Sequence, residues 1–325
     1  MNTANSPATT VPTSARRRFH FSVRELGTLI GLILIGLVFS FLTPIFLVEA
    51  NLVNILQQST INACIALGMT LVIISGGIDL SVGSVAALSA VISTTMMVHG
   101  VPVPLAVVVG LGIGAVCGVA NGTLITLGLQ PFIVTLGTLS LFRALALIYT
   151  GGNPIFGVPA AFRAVLSARL FIFPSPVVIV FACAVIAWVM LRKTPLGEYI
   201  LAVGGNEEAA RICGVPIKLT KVVTYAINGF LAALGAQILV GRLGAAEPVL
   251  GNLWELDAIA AAAIGGASLS GGKGSIVGTL IGSLILGSLR NGLTLLNVQA
   301  FYQLLATGII IIVAMFVDKF ARGKS

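Results

Sequence analysis

Apolar residues run in long blocks separated by short polar or glycine-rich breaks, near 26–47, 52–75, 80–98, 102–128, 131–150, 174–191, 222–241, 257–272, 275–296 and 300–317. Each block is close to the ~20 residues a helix needs to cross a bilayer at about 1.5 Å per residue. The pattern predicts an all-α fold, a polytopic membrane helix bundle of about ten transmembrane helices. The block at 257–272 stands apart, because DAIAAAAIGGASLSGG turns to Ser and Gly after a short apolar stretch. It is either a full span or a half-helix, and a half-helix at that depth needs other helices or a water-filled cavity to satisfy its free backbone groups.

Mean hydropathy is +1.09, and 57% of residues are hydrophobic against 9% charged, far more apolar length than one soluble core uses. The charged residues that remain are distributed unevenly. Arg16, Arg17, Arg18 and Arg24 precede the first block, and Arg192, Lys193, Arg211, Lys218 and Lys221 lie in the polar stretch 192–221. With Lys273, Lys319, Arg322 and Lys324 they make 13 basic residues on one side, against four on the other: Arg163, Arg169, Arg242 and Arg290. Arg143 falls inside a block and votes for neither. The positive-inside rule places both termini in the cytoplasm. The chain then divides into a cytoplasmic tail (1–25), a membrane domain (26–318) containing the cytoplasmic loop 192–221, and a second tail (319–325).

The net charge of +8 follows from this bias and carries no nucleic-acid message. ARRRF at 15–19 looks like a twin-arginine export signal, but the apolar run after it is too long and lacks a small-residue cleavage site, so it flanks a retained first span. Cys64, Cys117, Cys183 and Cys213 are scattered singly without metal-ligand spacing, and His20 and His99 are the only histidines. Neither a metal site nor a histidine triad is expected from that inventory. GGKGS at 271–275 departs from the phosphate-loop pattern, with Ala267 where Gly is required and Gly274 where Ser or Thr is required. Any ATP that drives this protein is expected on another polypeptide.

The charged island GGNEEAARICGVP, Gly204 to Pro216, carries a complete set of local helix signals. Asn206 is a good N-cap, Glu207 and Glu208 sit in the first turn where the helix dipole favours anions, and Gly214 and Pro216 supply the stop. A helix of about two turns is marginal in water, so it leans on a surface, either the chain's own spans or a partner. A weak repeat, GGIDLS at 76–81 and GGASLS at 265–270, suggests either a pair of discontinuous helices or two tight glycine turns. Asp79, within the first copy, either caps a half-helix or handles solute.

Asn54, Gln58 and Asn62 recur every four residues and place three amides on one helix face. Amides donate and accept at once, which suits a neutral polyol, and they equally suit hydrogen bonds between helices. Asn121 and Asn228 are further candidates of the same kind. Gly110, Gly114, Gly118 and Gly122 form one glycine ladder and Gly274, Gly278 and Gly282 a second, marking helices whose backbones approach a neighbour closely, in the same subunit or another.

Three separated blocks carry a resemblance. GMTLVIISGGIDLSVGS (68–84), LGEYILAVGGNEEAARICGV (196–215) and ELDAIAAAAIGGASLSGGKGSIVGTLIGSLILGSLRNGLTLL (255–296) are similar to the permease subunit of monosaccharide importers of the ATP-binding-cassette (ABC) class, of the ribose type. Within the second block, Glu208, Ala209, Ala210 and Gly214 spell E-A-A-x-x-x-G, which resembles the loop through which such permeases contact their ATPase. The I-x-L-P that often follows is absent.

The resemblance implies a fold similar to type II importer permeases, a homodimer in the bacterial inner membrane, a cytoplasmic ABC ATPase holding ATP and magnesium, and a periplasmic sugar-binding protein. No cofactor is expected on this chain. Asn206, Glu207, Glu208, Ala209, Ala210, Arg211 and Gly214 are then the ATPase-coupling residues. Asn54, Gln58, Asn62, Asp79, Asn121 and Asn228 are candidates for the substrate pathway, and Arg163, Arg169 and Arg242 for docking the binding protein. The alternative is an ion-coupled secondary transporter or channel, which usually carries intramembrane ionisable residues; only Asp79, Arg143 and Arg290 qualify from the sequence.

Overall fold

A computed structural model describes residues 23–170 and 172–322. The basic residues Arg16, Arg17, Arg18 and Lys324, His20 and the ARRRF segment lie outside them. Helix α1 (Val23–Leu42) leads to α2 (Glu49–Ile74), α3 (Val82–Val98), α4 (Val103–Thr126) and α5 (Pro131–Thr150). A short excursion follows, with strand β1 (Ile155–Phe156), helix α6 (Ala160–Ser167) and the two-residue strands β2 (Arg169–Leu170) and β3 (Phe173–Pro174). Then come α7 (Ser175–Lys193), α8 (Pro195–Gly205), α9 (Glu207–Ile212), α10 (Ile217–Leu243), β4 (Ala245–Ala246), α11 (Trp254–Ile264), α12 (Ile276–Leu295) and α13 (Ala300–Arg322).

Among the described residues seven helices are long and apolar enough to cross a membrane, namely α1, α2, α4, α5, α7, α10 and α12. Helix α3 and the stretch Ala300–Ile310 of α13 are shorter apolar helices. With α11 these match the apolar blocks in number and order. Helix starts follow local chemistry: proline occupies the first or second position of α4, α5, α7 and α8, where its missing N–H costs nothing. Gly151 and Gly244 take the left-handed conformation that ends α5 and α10.

Helix α2 is the centre of the bundle. Every residue from Ala63 to Ile74 is buried, and α10, α12, α11 and α7 pack around it. The first glycine ladder lies within the subunit. A Cβ on Gly114, Gly118 or Gly122 would run into the backbone of α10 at Gly229, Tyr225 or Val222, so the two helices meet backbone to backbone. The second ladder does the same for α11 and α12, with Gly278 against Gly265 and Gly282 against Ala261. Both ladders are therefore intramolecular packing surfaces.

The block at 257–272 is a half-helix. Helix α11 has 11 residues, about 16 Å of rise, and ends at Gly265, after which Gly266, Gly271 and Gly272 all have positive φ. A second interruption is unread in the sequence: after α10 the chain pairs β4 with β1 and then turns back into the bundle through 247–253, where α11 begins.

Close packing of the ladder predicts a sharp positional contrast. Gly114→Leu should lower stability by about 1–3 kcal/mol or more through overpacking, whereas Gly112→Leu, with open space beside it, should stay within about 0.5 kcal/mol. Thermal unfolding of the purified variants in detergent checks this; equal midpoints would contradict it.

Candidate functional site

The charged island forms as its caps predict. The Ala209 N–H donates to Asn206 Oδ1 at 2.9 Å, and Gly214, at φ +80°, closes α9. The Gly214 N–H reaches Arg211 O and the Val215 N–H reaches Ala210 O, each at 3.0 Å, the paired bonds that end a helix on a left-handed glycine. Ala210 is buried and anchors the helix, while Glu208, Ala209, Arg211 and Cys213 face outward and Ile212 is 80% exposed. Glu207 is fixed by Lys221 of α10 at 2.7 Å, and Arg211 pairs with Glu208 at 3.2 Å. The residues before α9 are also helical: α8 buries Gly197, Ile200 and Val203, so α9 projects from a seated platform rather than from a free loop.

Behind α9 lies a cavity of about 240 Å³ whose walls include Gly76, Gly77, Gly205, Glu207, Lys221 and Tyr225. Here three chain segments meet without side chains. The Gly272 N–H donates to Ile74 O at 2.8 Å, and a Cβ on Gly204 would strike that same carbonyl and the Gly272 nitrogen. The end of α2, the end of α8 and the turn after α11 are thus in backbone contact directly under the island.

From this corner, residues 75–81 climb back into the bundle toward α3. Asp79 is 1% exposed, and its Oδ1 accepts both the Ser81 N–H, at 2.9 Å, and the Ser81 hydroxyl, at 2.6 Å. Asn228 Nδ2 donates to Asp79 Oδ2 at 2.8 Å, and Asn121 Nδ2 donates to Ser81 Oγ at 2.8 Å. Asn228 lies 11 residues into α10, about 16 Å along it. The chain therefore starts α3 deep in the bundle. The Ile78 carbonyl accepts from the Tyr225 hydroxyl and from Thr135 Oγ1, each at 3.3 Å.

On the opposite approach, Arg143 Nη1 donates to the carbonyls of Pro248 and Leu250 at 2.8 and 2.7 Å, fastening the inward turn 247–253 to α5. Gly83, in the first turn of α3, and Gly251 lie backbone against backbone; a Cβ on either would overlap the other's carbonyl. The two interrupted elements thus meet inside the bundle. Glu255 and Asp257, at the head of α11, are buried, and Asp257 accepts from Arg290 of α12. The sequence reading overlooked both acids. The signal was ELD at the mouth of an apolar block, but Arg290, the basic partner of Asp257, lies on another helix.

The pathway candidates fall into two groups. Asp79, Asn121 and Asn228 join in one buried cluster, closed to solvent in this structure, and the amide oxygens of both asparagines have no hydrogen-bond partner among the described residues. Asn54, Gln58 and Asn62 are half-buried on the opposite half of α2, with Gln58 Nε2 donating to Asn54 Oδ1 at 3.2 Å. Of the docking candidates, Arg163 and Arg169 are exposed, Arg163 lying over Gly244, whereas Arg242 donates to Asn54 Oδ1 at 3.0 Å and so joins the amide stripe.

Residues 51–315 match a family described as the permease component of a branched-chain amino acid transport system. The chain belongs to this permease family. It is 48% identical over 309 residues to a ribose import permease protein of Bacillus subtilis, covering 94% of this chain and 96% of that one. It is also 42% identical over 325 residues to the ribose import permease protein of Escherichia coli, with 95% and 98% coverage. Similarity extends to a D-allose transport system permease protein of Escherichia coli, 38% identical over 311 residues, covering 94% and 95%. No solved structure matches the chain. This is a multi-pass membrane permease, a transport subunit.

The Asp79 cluster predicts a graded pair of variants. Asp79→Ala leaves the Ser81 N–H and hydroxyl and the Asn228 amide without an acceptor, about 1–3 kcal/mol for each group, and should abolish recovery of folded protein. Asp79→Asn keeps the shape and one acceptor oxygen and should fold with a lowered thermal midpoint. Size-exclusion profiles and thermal scans distinguish the two; equal behaviour would contradict the assigned bonds.

Proposed function

We propose that this chain is the permease subunit of an ABC importer that moves a monosaccharide, ribose or a related pentose or hexose, across the bacterial inner membrane. The observation that carries the reading is α9: a capped, six-residue helix bearing E-A-A-x-x-x-G that stands out from the bundle with Ile212 uncovered. A helix this short has little stability of its own, so the α8 platform and the Glu207–Lys221 pair hold it ready for a partner. That partner is a cytoplasmic ABC ATPase, which supplies ATP and magnesium. The ribose and allose relatives support the sugar class.

In this reading the α9 end is cytoplasmic, as the distribution of basic residues favours, and both tails, 1–25 and 319–325, lie on that side. The loop 192–221 is the coupling element. A push on α9 reaches Gly204, and through its contacts with Ile74 and Gly272 displaces both the segment leading to α3 and the turn after α11. Alternating access follows from moving these two interrupted elements against the rest of the bundle. Asn54, Gln58 and Asn62 handle the solute on its way in, and the Asp79 cluster opens later, offering the unpartnered amide oxygens of Asn121 and Asn228 to hydroxyl groups. Arg163 and Arg169, with Arg242 at the edge of the stripe, receive a periplasmic sugar-binding protein. A second copy of the permease completes the transporter.

The test is reconstituted uptake with partner ATPase and sugar-binding protein. Gly214→Pro removes the N–H bonded to Arg211 and imposes φ near −65° where +80° is required. It should insert normally, lose co-purification of the ATPase and reduce ribose uptake by tenfold or more. Retention of both would refute the coupling role, and absence of uptake by the unaltered complex for every pentose and hexose would refute the sugar reading.

A further inference from the structure

The half-helix α11 is too short to run beside the whole of α2. Helix α11 packs along α2, whose Ile65, Met69 and Ile73 belong to the same apolar cluster as Ala258, Ala260, Ala261 and Ala262. At about 1.5 Å per residue, the 11 residues of α11 span less than half the length of the 26-residue α2. The face of α2 that carries Asn54, Gln58 and Asn62, toward its N-terminal half, is only half-buried.

Helix α12 forms the adjoining wall at that level. Its Gly287 packs on Ser59, and Asn291 and Asn51 exchange two amide hydrogen bonds of 2.9 Å. Arg290 lies between these contacts in sequence, on the same stretch of α12, and its side chain reaches Asp257 at the head of α11. The pair is unequal: the Arg290 side chain is 40% exposed and the Asp257 side chain 7%. Asp257 is the buried counter-ion and Arg290 the accessible member, with donors to spare after one bond to the carboxylate.

We propose that Arg290 is a specificity-determining residue that meets the hydroxyl groups of the solute at the foot of the amide stripe, and that Asp257 is the residue that positions it. The inference rests on the sugar-importer reading and names a contact which that reading does not contain. An ionised side chain at the head of a membrane half-helix is costly unless paired, which accounts for Asp257. A simple staple between α11 and α12 would have no use for a guanidinium turned partly outward. A planar fork of donors can bridge adjacent hydroxyl oxygens, and the amides of α2 above it supply acceptors for the hydroxyl protons.

The experiment compares sugars that differ by one hydroxyl. Uptake of D-ribose and of its 2-, 3- and 5-deoxy analogues is measured in vesicles with the complete transporter at saturating binding protein and sugar. Arg290→Gln should slow ribose roughly fivefold while slowing at least one deoxy analogue less than about twofold, so that the preference for the missing hydroxyl collapses. Arg290→Lys retains the charge opposite Asp257 and serves if the first variant folds poorly; it should lose the same preference because it lacks the fork. Asp257→Glu should preserve the preference and Asp257→Asn weaken it. If every sugar slows by the same factor in both Arg290 variants, the pair is a staple and the inference is wrong. If the unaltered complex moves ribose and the ratios stay unchanged, this inference alone falls; if it moves no pentose, the sugar reading falls and takes the inference with it.

Discussion

A helix that stops within the bundle exposes backbone donors and acceptors where no water is at hand, and each must find a partner. Much of this structure answers that constraint. Asp79 takes the Ser81 N–H at the start of α3, Tyr225 and Thr135 satisfy the carbonyl of Ile78, and Arg143 satisfies those of Pro248 and Leu250. Thr135 and Arg143 belong to α5 and Tyr225 to α10, and Asn121 of α4 bonds Ser81, so the interrupted segments are tied to α4, α5 and α10 by polar bonds rather than by apolar packing alone.

Glycine supplies the complementary half. Where Gly83 meets Gly251 and where Gly204 meets Ile74 and Gly272, the chains touch without side chains, so a displacement of one backbone is passed to the next with little slack. The second junction lies under α9. It connects the exposed island to both interrupted elements by a path of three contacts, and this is the physical basis for the proposed coupling between ATP hydrolysis elsewhere and the passage through this chain.

Features set by neighbours in sequence were legible without the structure. Apolar length predicts α5 at 131–150, as found, and Asn206 and Gly214 announce α9 through capping rules that act over a few residues. The hint of a half-helix at 257–272 was visible because Ser and Gly cut the apolar run short. The inward turn 247–253 was not, since EPVLGN reads as an ordinary external loop until Arg143, more than 100 residues earlier, is placed beside its carbonyls. Asp79 and Asn228 are separated by 149 residues, so a cluster that sequence reading treats as separate candidates becomes one object only in the fold. The ladder at Gly110 to Gly122 was plain as a pattern, but its partner, α10, could not be named from spacing.

The central claim is that the glycine corner transmits motion from α9 to the inward turn at the head of α11. It is tested most directly by placing a cysteine at Asn252, an exposed position on that turn, and measuring its reaction with a membrane-impermeant maleimide added from the periplasmic side of the assembled transporter, with and without ATP. The account predicts a labelling rate that changes several-fold with nucleotide, and loss of that change, with baseline labelling retained, when Gly204→Val disrupts the junction with Ile74 and Gly272. A rate indifferent to nucleotide, or one that responds equally in the Gly204→Val background, would contradict it.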